Sequence, residues 1–322
     1  MDIHKIFEPI SADLQKVEVR LRESARAEFG PLAEVIESVI ESGGKRIRPA
    51  LVLLSARFHP VDEEPLLRLA TSVELLHLAT LIHDDLLDKS PLRRGSPTIS
   101  SRWNEKATVL AGDYVLAKAA KISAEVENFK VMEIFADVIM VICEGEIRQD
   151  FNGHHVAPKR EDYYAHIDAK TASLFAACAE SAAVLNHAPE VERAALREYG
   201  HNLGMAFQIA DDVLDFVGTE REVGKPVGSD LRQGIVTLPT IYFYEMDQRR
   251  DALTSIISHN GHSERELDRV IEWIRSSPAV QASQSEARSY AIEAQRALEA
   301  LPDNPYRRSL HDLAEFVVER KK

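Results

Sequence analysis

Cysteine is almost missing from this chain: Cys143 and Cys178 are the two copies in 322 residues. Neither has a CxxC partner, so the sequence offers no disulfide framework and no thiolate metal knuckle. Both read as reduced packing residues in Ala- and Val-rich helices. Positive charge is short as well. Lysine and arginine total 39 against 52 aspartates and glutamates, a net charge of -13, and a chain without a basic face is not a general nucleic-acid binder. No apolar run approaches the roughly 18 residues of a membrane helix. The opening Met1-Asp2-Ile3-His4-Lys5 lacks the basic-then-apolar order of a signal peptide, so the cytoplasm is the expected compartment. Strand-like alternation, low-complexity stretches and flexible linkers are missing too.

What is there is helical periodicity. Segments near 5–27, 30–42, 46–58, 64–88, 108–126, 129–151, 160–186, 190–217, 237–260, 264–275, 278–299 and 303–320 read as helices. Gly, Pro or Asn marks the breaks between many of them, as at Gly43-Gly44, His59-Pro60, Asn152-Gly153 and Asn304-Pro305. Hydrophobic residues make up 45%, enough for a large core. The expected architecture is all-α, a large single-domain helical bundle over residues 1–322 with its ligand site between facing helices. Residues 217–236 hold Gly218, Gly224, Gly228 and Gly234, and read as a loop able to close as a lid.

Two copies of one acidic pattern stand out, Leu81-Ile82-His83-Asp84-Asp85-Leu86-Leu87-Asp88 and Gln208-Ile209-Ala210-Asp211-Asp212-Val213-Leu214-Asp215. In each, the first and third aspartates are four residues apart and share a helix face. A single copy is as readily a solvated helix face as a site; two matched copies favour a site. Carboxylates from two such helices, brought face to face, would need cations to offset repulsion. Mg²⁺, with Mn²⁺ as an alternative, suits oxygen ligands and completes its shell with water and phosphate.

Basic residues cluster where an anion could bind. Gly43-Gly44-Lys45-Arg46-Ile47-Arg48-Pro49 joins two helices; its glycines allow close backbone approach and Lys45 and Arg48 supply charge. Arg93 and Arg94 follow the first motif, and planar guanidiniums suit phosphate oxygens. His77 precedes Asp84 by seven residues and lies on nearly the same ridge. Lys170-Thr171 and Lys225 are further candidates near the second motif, where Gln208 joins Asp211, Asp212 and Asp215 in one polar stripe. Each basic turn alone is more often merely solvated.

GGKRIRP at 43–49, ELLHLATLIHDDLLD at 74–88 with RRG after it, KTASLF at 170–175, FQIADDVLDFVG at 207–218 and GKPVGSD at 224–230 together resemble the trans-isoprenyl diphosphate synthases, with similarity to long-chain octaprenyl and heptaprenyl members. The resemblance spans most of the chain. It implies an all-α fold with a deep central cavity, Mg²⁺ dependence, a homodimer, and head-to-tail condensation of isopentenyl diphosphate with an allylic diphosphate. By motif position, Lys45, Arg48, His77 and Arg94 would hold isopentenyl diphosphate. Asp84, Asp88 and Asp211 would be the principal metal ligands, supported by Asp85, Asp212 and Asp215. Arg93, Lys170, Thr171, Gln208 and Lys225 would contact the allylic diphosphate.

Short-chain members carry a bulky aromatic just before the first motif, where this chain has Ala79 and Thr80. The resemblance therefore implies a product of about C35 to C45, octaprenyl favoured, for a quinone side chain, with Phe129, Ile134, Phe135 or Val138 as candidates for the cavity floor. Gln233-Gly234-Ile235 departs from the family's acidic-Gly-Lys pattern. The alternatives are a shorter-chain geranylgeranyl or farnesyl synthase, the catalytic subunit of a heteromeric heptaprenyl synthase, a terpene cyclase, and a regulatory subunit. The last two fit poorly with the isopentenyl-site residues and with two intact acidic motifs.

Overall fold

In a computed structural model of the chain, the described residues are 1–41, 43–90, 92–93, 96–152, 159–218, 226–258 and 264–320. Numbering in order the described helices of eight or more residues gives α1 Ser11–Ser24, α2 Gly30–Glu41, α3 Ile47–Ser55, α4 Glu63–Leu87, α5 Glu105–Ala124, α6 Phe129–Asn152 and α7 Arg160–Ile167. After them come α8 Ser173–Leu185, α9 Glu190–Val217, α10 Leu238–Met246, α11 Arg250–Ser258, α12 Glu264–Arg275, α13 Pro278–Ala297 and α14 Pro305–Glu319. The fold is all-α; a two-residue antiparallel ladder pairs Leu92–Arg93 with Ser96–Pro97 after the first acidic motif.

The long helices sort into two packed cores. α3, α4, α6, α8 and α14 bury leucine, isoleucine and alanine in the larger one, including Leu51, Leu54, Leu66, Phe175 and Leu313. The smaller gathers α7, α10, α12 and α13 around Phe216, Phe243 and Ile274. α9 contributes to both, so the second motif rides on the beam that joins them. α4 is long and apolar enough to cross a membrane by length and composition, contrary to the expectation from sequence, but most of its apolar stretch is buried inside the protein. It is a core helix wrapped by α3, α5 and α8.

Two expectations about boundaries change. The segment 160–186 is interrupted by a π turn, Asp168–Ala172, between α7 and α8. The segment 237–260 is broken after Met246, because the Asp247 carboxylate accepts from both the backbone N–H (2.8 Å) and the guanidinium of Arg249. That local bond competes with helix continuation. α5 begins at Glu105 rather than 108, since the Asn104 side chain accepts from Ala107 N (2.9 Å) and caps the helix.

Helices meet closely where side chains are small. A Cβ on Gly204 of α9 would lie 2.6 Å from the Ala172 Cα of the π turn, so glycine lets α9 press its backbone against that turn. Gly204→Ala should therefore destabilise the protein by about 1–3 kcal/mol through overpacking. Urea unfolding reads this directly, and an unchanged midpoint would mean that α9 can slide away from the turn.

Candidate active site

The π turn organises the site. Lys170 projects from it towards α4, its ammonium 3.7 Å from Asp84 Oδ1 and 3.0 Å from Glu146 Oε1 of α6. Its neighbour Thr171 projects towards α9, where its hydroxyl donates to Gln208 Oε1 (2.8 Å). Consecutive residues on a helical turn point in different directions, and here they reach the two acidic motifs. A π turn, rare and often found at functional sites, is the local device. Burial opposes the charge of Lys170, but Asp84, Glu146 and Asp88 outweigh it and hold the ammonium above its ordinary pKa.

The six aspartates divide into two groups. Asp84 is partly open, while Asp88 and Asp211 are exposed. Asp85, Asp212 and Asp215 are buried at 7%, 4% and 7% exposure. Asp212 is enclosed by donors: Tyr163 Oη gives a hydrogen bond of 2.6 Å to one oxygen and Gln208 Nε2 one of 2.8 Å to the other. Burial, helped by Asp230 and Asp211, raises its pKa well above the ordinary carboxylate range. Asp215 accepts from the backbone N–H groups of Ser229 (3.1 Å) and Asp230 (3.2 Å), and so anchors the chain beyond the second motif. Thr171 and Gln208 are thus occupied as a relay into Asp212.

The basic turn also divides. Arg46, at positive φ of 50°, turns inward to pair with Glu18 of α1 and, at 2.9 Å, with Glu74 of α4. A non-glycine residue in that conformation costs about 1–3 kcal/mol, offset here by a partly buried ion-pair triad. Lys45 and Arg48 point elsewhere and stack on aromatic rings, Lys45 over Phe316 (5.6 Å) and Arg48 over Phe175 (4.9 Å). Phe175 packs 5.4 Å from Phe207, whose ring carries a third cation, Arg320, at 3.9 Å. Arg320 also sits 3.0 Å from Asp211 Oδ1. His77 lies partly exposed on α4, on the ridge leading to Asp84. Arg94 and Lys225 lie outside the described residues, as does the side chain of Arg93.

Beneath the first motif a small apolar cavity lies between α4, α6 and α8, lined by Leu69, Val73 and Leu76 of α4 together with Ile134, Phe135 and Val138 of α6. Its free volume of about 10 Å³ holds at most one water. Phe129 does not belong to it; at 89% exposure it faces outward from the start of α6. Ala79 is buried, and Thr80 continues the Leu69-Val73-Leu76 stripe up to Asp84.

Sequence reasoning missed Glu146, Tyr163, Arg320 and the Leu69-Val73-Leu76 wall. The wall was legible as a helical stripe below Asp84; Arg320, in a basic chain end, carried no such signal. Among the described residues no three His, Cys, Asp or Glu side chains converge on one point. The available donors are carboxylate oxygens in ones and twos, which fits an ion such as Mg²⁺ whose shell is completed by water and phosphate.

His166 sits one turn before Lys170. Burial and that ammonium lower its pKa from 6.5 to about 4, so the folded state keeps it neutral where the unfolded chain would protonate it. The unfolded state then binds the extra proton between about pH 4 and 6.5, and stability rises with pH across that window. His166→Gln should flatten this slope in urea unfolding at pH 5 and pH 7, whereas an identical slope in both proteins would show that His166 contributes nothing to it.

A polyprenyl synthetase profile matches residues 30–274. The chain is 38% identical to heptaprenyl diphosphate synthase component 2 of Geobacillus stearothermophilus, covering 99% of each. It is 32% identical to octaprenyl diphosphate synthase of Escherichia coli, again covering 99% of each. The crystal structure of a polyprenyl synthase from Caulobacter crescentus, complexed with calcium and isoprenyl diphosphate, superposes with a TM-score of 0.95 at 35% identity, covering 100% of this chain and 98% of that one. With two acidic helices bridged by one turn and matches along its whole length, the chain belongs to the polyprenyl synthetase family of prenyltransferases.

Proposed function

We propose that this chain condenses isopentenyl diphosphate with an allylic diphosphate, farnesyl or geranylgeranyl, to give a long-chain all-trans polyprenyl diphosphate, octaprenyl favoured, for a quinone side chain. The observation that carries this reading is that one bundle presents the partly open Asp84 and the exposed Asp88 and Asp211 together with cations stacked on aromatics, Lys45 and Arg48. Carboxylates and fixed positive charge together suit two diphosphates, one reached with a divalent ion and one bound directly. Asp84, Asp88 and Asp211 would hold Mg²⁺ or Mn²⁺. When bound, the ion neutralises the leaving diphosphate as charge develops on it.

The chain's own residues do the rest. Lys170, held between Asp84 and Glu146, offers an ammonium at the same carboxylate face and stabilises the departing oxygens. Lys45, Arg48 and His77 orient the second diphosphate so that its alkene attacks the allylic carbon, a positioning contribution. No protein nucleophile is required, and the departing diphosphate takes the proton released at the end. Apolar walls from α4, α6 and α8 receive the growing tail and keep water from the cation. From Asp84 to Leu69 the helix descends about 22 Å at 1.5 Å per residue.

We further propose a homodimer. α5 and α6 expose Leu110 (57%), Met140 (62%), Ile147 (59%) and Phe151 (83%), and the last three share one face of α6. A second copy covering that face would account for so much exposed apolar surface. The Geobacillus relative is named as one component of a synthase, so a different partner on this face is the alternative.

The test is to incubate the purified chain alone with Mg²⁺, farnesyl diphosphate and labelled isopentenyl diphosphate and to resolve the products. C35 to C45 products are expected; a C15 or C20 endpoint would overturn the long-chain reading, and no incorporation would point to a missing partner. Asp84→Ala should remove turnover while leaving the unfolding midpoint nearly unchanged, and an active variant would sink the site assignment. Leu76→Trp should shorten the product and Phe135→Ala lengthen it, and an unaltered ladder in both would show that the tail takes another path.

A further inference from the structure

Arg320 follows the last residue of α14, yet its side chain is 5% exposed. Three contacts hold it: Asp211 Oδ1 at 3.0 Å, the carbonyl of Phe207 at 3.0 Å, and the Phe207 ring beneath it at 3.9 Å. All three lie on α9, within the turn that carries the second acidic motif. Asp211 is the open member of that motif, its side chain 58% exposed. The guanidinium is not fully satisfied there, because its buried Nε–H has no acceptor among the described residues. An ion pair with one exposed partner and an unmet donor stabilises little, and a divalent ion can compete for the exposed carboxylate.

The first motif has a matching arrangement, with the Lys170 ammonium 3.7 Å from Asp84. In each motif the leading aspartate already has a cation supplied by another part of the chain. The repulsion expected of two facing acidic helices is thereby relieved before any ion arrives. Lys170 is tethered to Glu146 as well and keeps a partner if Asp84 is taken. Asp212 is a second carboxylate near Arg320, but its oxygens already accept from Tyr163 and Gln208, so among the described residues Asp211 is the carboxylate that Arg320 pairs with directly.

We infer that Arg320 is the resident counter-ion of Asp211, which a divalent ion must displace, so that metal loading of the second motif and release of the C-terminal end of α14 are one equilibrium. The inference rests on the reading of Asp211 as a metal ligand. It makes Arg320 a positioning residue: it holds the Asp211 carboxylate until a metal ion takes it, and fastens the chain end to α9. By reciprocity, whatever weakens the arginine contact strengthens metal binding by the same factor, and metal binding loosens the chain end.

The test is Mn²⁺ binding to the full chain without substrate, followed by electron paramagnetic resonance, in wild type, Arg320→Gln, Arg320→Lys and Asp211→Asn. Hydrogen exchange of residues 314–320 with and without Mn²⁺ is the second readout. Arg320→Gln should bind Mn²⁺ about fivefold or more tightly, a typical coupling factor, and its chain end should exchange fast with or without metal. Arg320→Lys keeps the charge and should stay within about twofold of wild type; if it tightened binding as much as glutamine does, loss of packing rather than of charge would be responsible and the proposal would fail. Equal affinity in wild type and Arg320→Gln, with a site still lost in Asp211→Asn, overturns the counter-ion while leaving Asp211 as a ligand. Unchanged binding in Asp211→Asn refutes the ligand reading itself, and the counter-ion with it.

Discussion

One turn of π-helix fixes the distance between the two acidic helices. Asp168–Ala172 places Lys170 against α4 and Thr171 against α9, and Gly204 lets α9 lie against its backbone. Gly145 of α6 does the same from the other side, since a Cβ there would overlap the side chain of Ala169. Glu146, the next residue, is thereby brought to Lys170. Small residues around one irregular turn thus set where two helices can stand, and the charges follow from that spacing.

Burial gives identical side chains different work. Asp212 and Asp215 share a helix and a motif with Asp211, yet donors enclose one and backbone amides the other. A carboxylate whose oxygens are already taken stiffens the helix that carries it; one facing outward is available to a ligand. The basic turn follows the same logic. Arg46, between Lys45 and Arg48, is spent on joining α1, α2 and α4 through Glu18, the Ile40 carbonyl and Glu74, while its neighbours stack on the aromatic shelf.

Helix type and approximate extent were legible because the apolar stripes of α9 and α13 repeat at helical spacing over many residues, while α4 shows itself by its length and its apolar residues on every face. The aspartate motifs were legible because they occur twice. What stayed hidden depends on particular side-chain bonds and on tertiary contact rather than on periodicity. The π turn has no periodic signature of its own, and the break at Asp247 turns on a bond between its carboxylate and Arg249 two residues on. Arg320 acquires meaning only when α14 returns to α9. Phe129 misled because residue type alone does not reveal which side of a helix faces the interior, whereas counting back from Asp84 in steps of three and four would have found Thr80, Leu76, Val73 and Leu69.

The cavity under the first motif is narrow. A space of about 10 Å³ would not hold even one isoprene unit, so on the proposed reading the hydrocarbon would have to make its own room by turning leucine, valine and phenylalanine into other rotamers. Length would then be measured against a soft stop: each added unit would cost more side-chain rearrangement than the last, until letting go of the product became easier than extending it. Such a ruler would be graded in energy rather than in ångströms, and its reading would shift with temperature as the rotamers of its walls loosened.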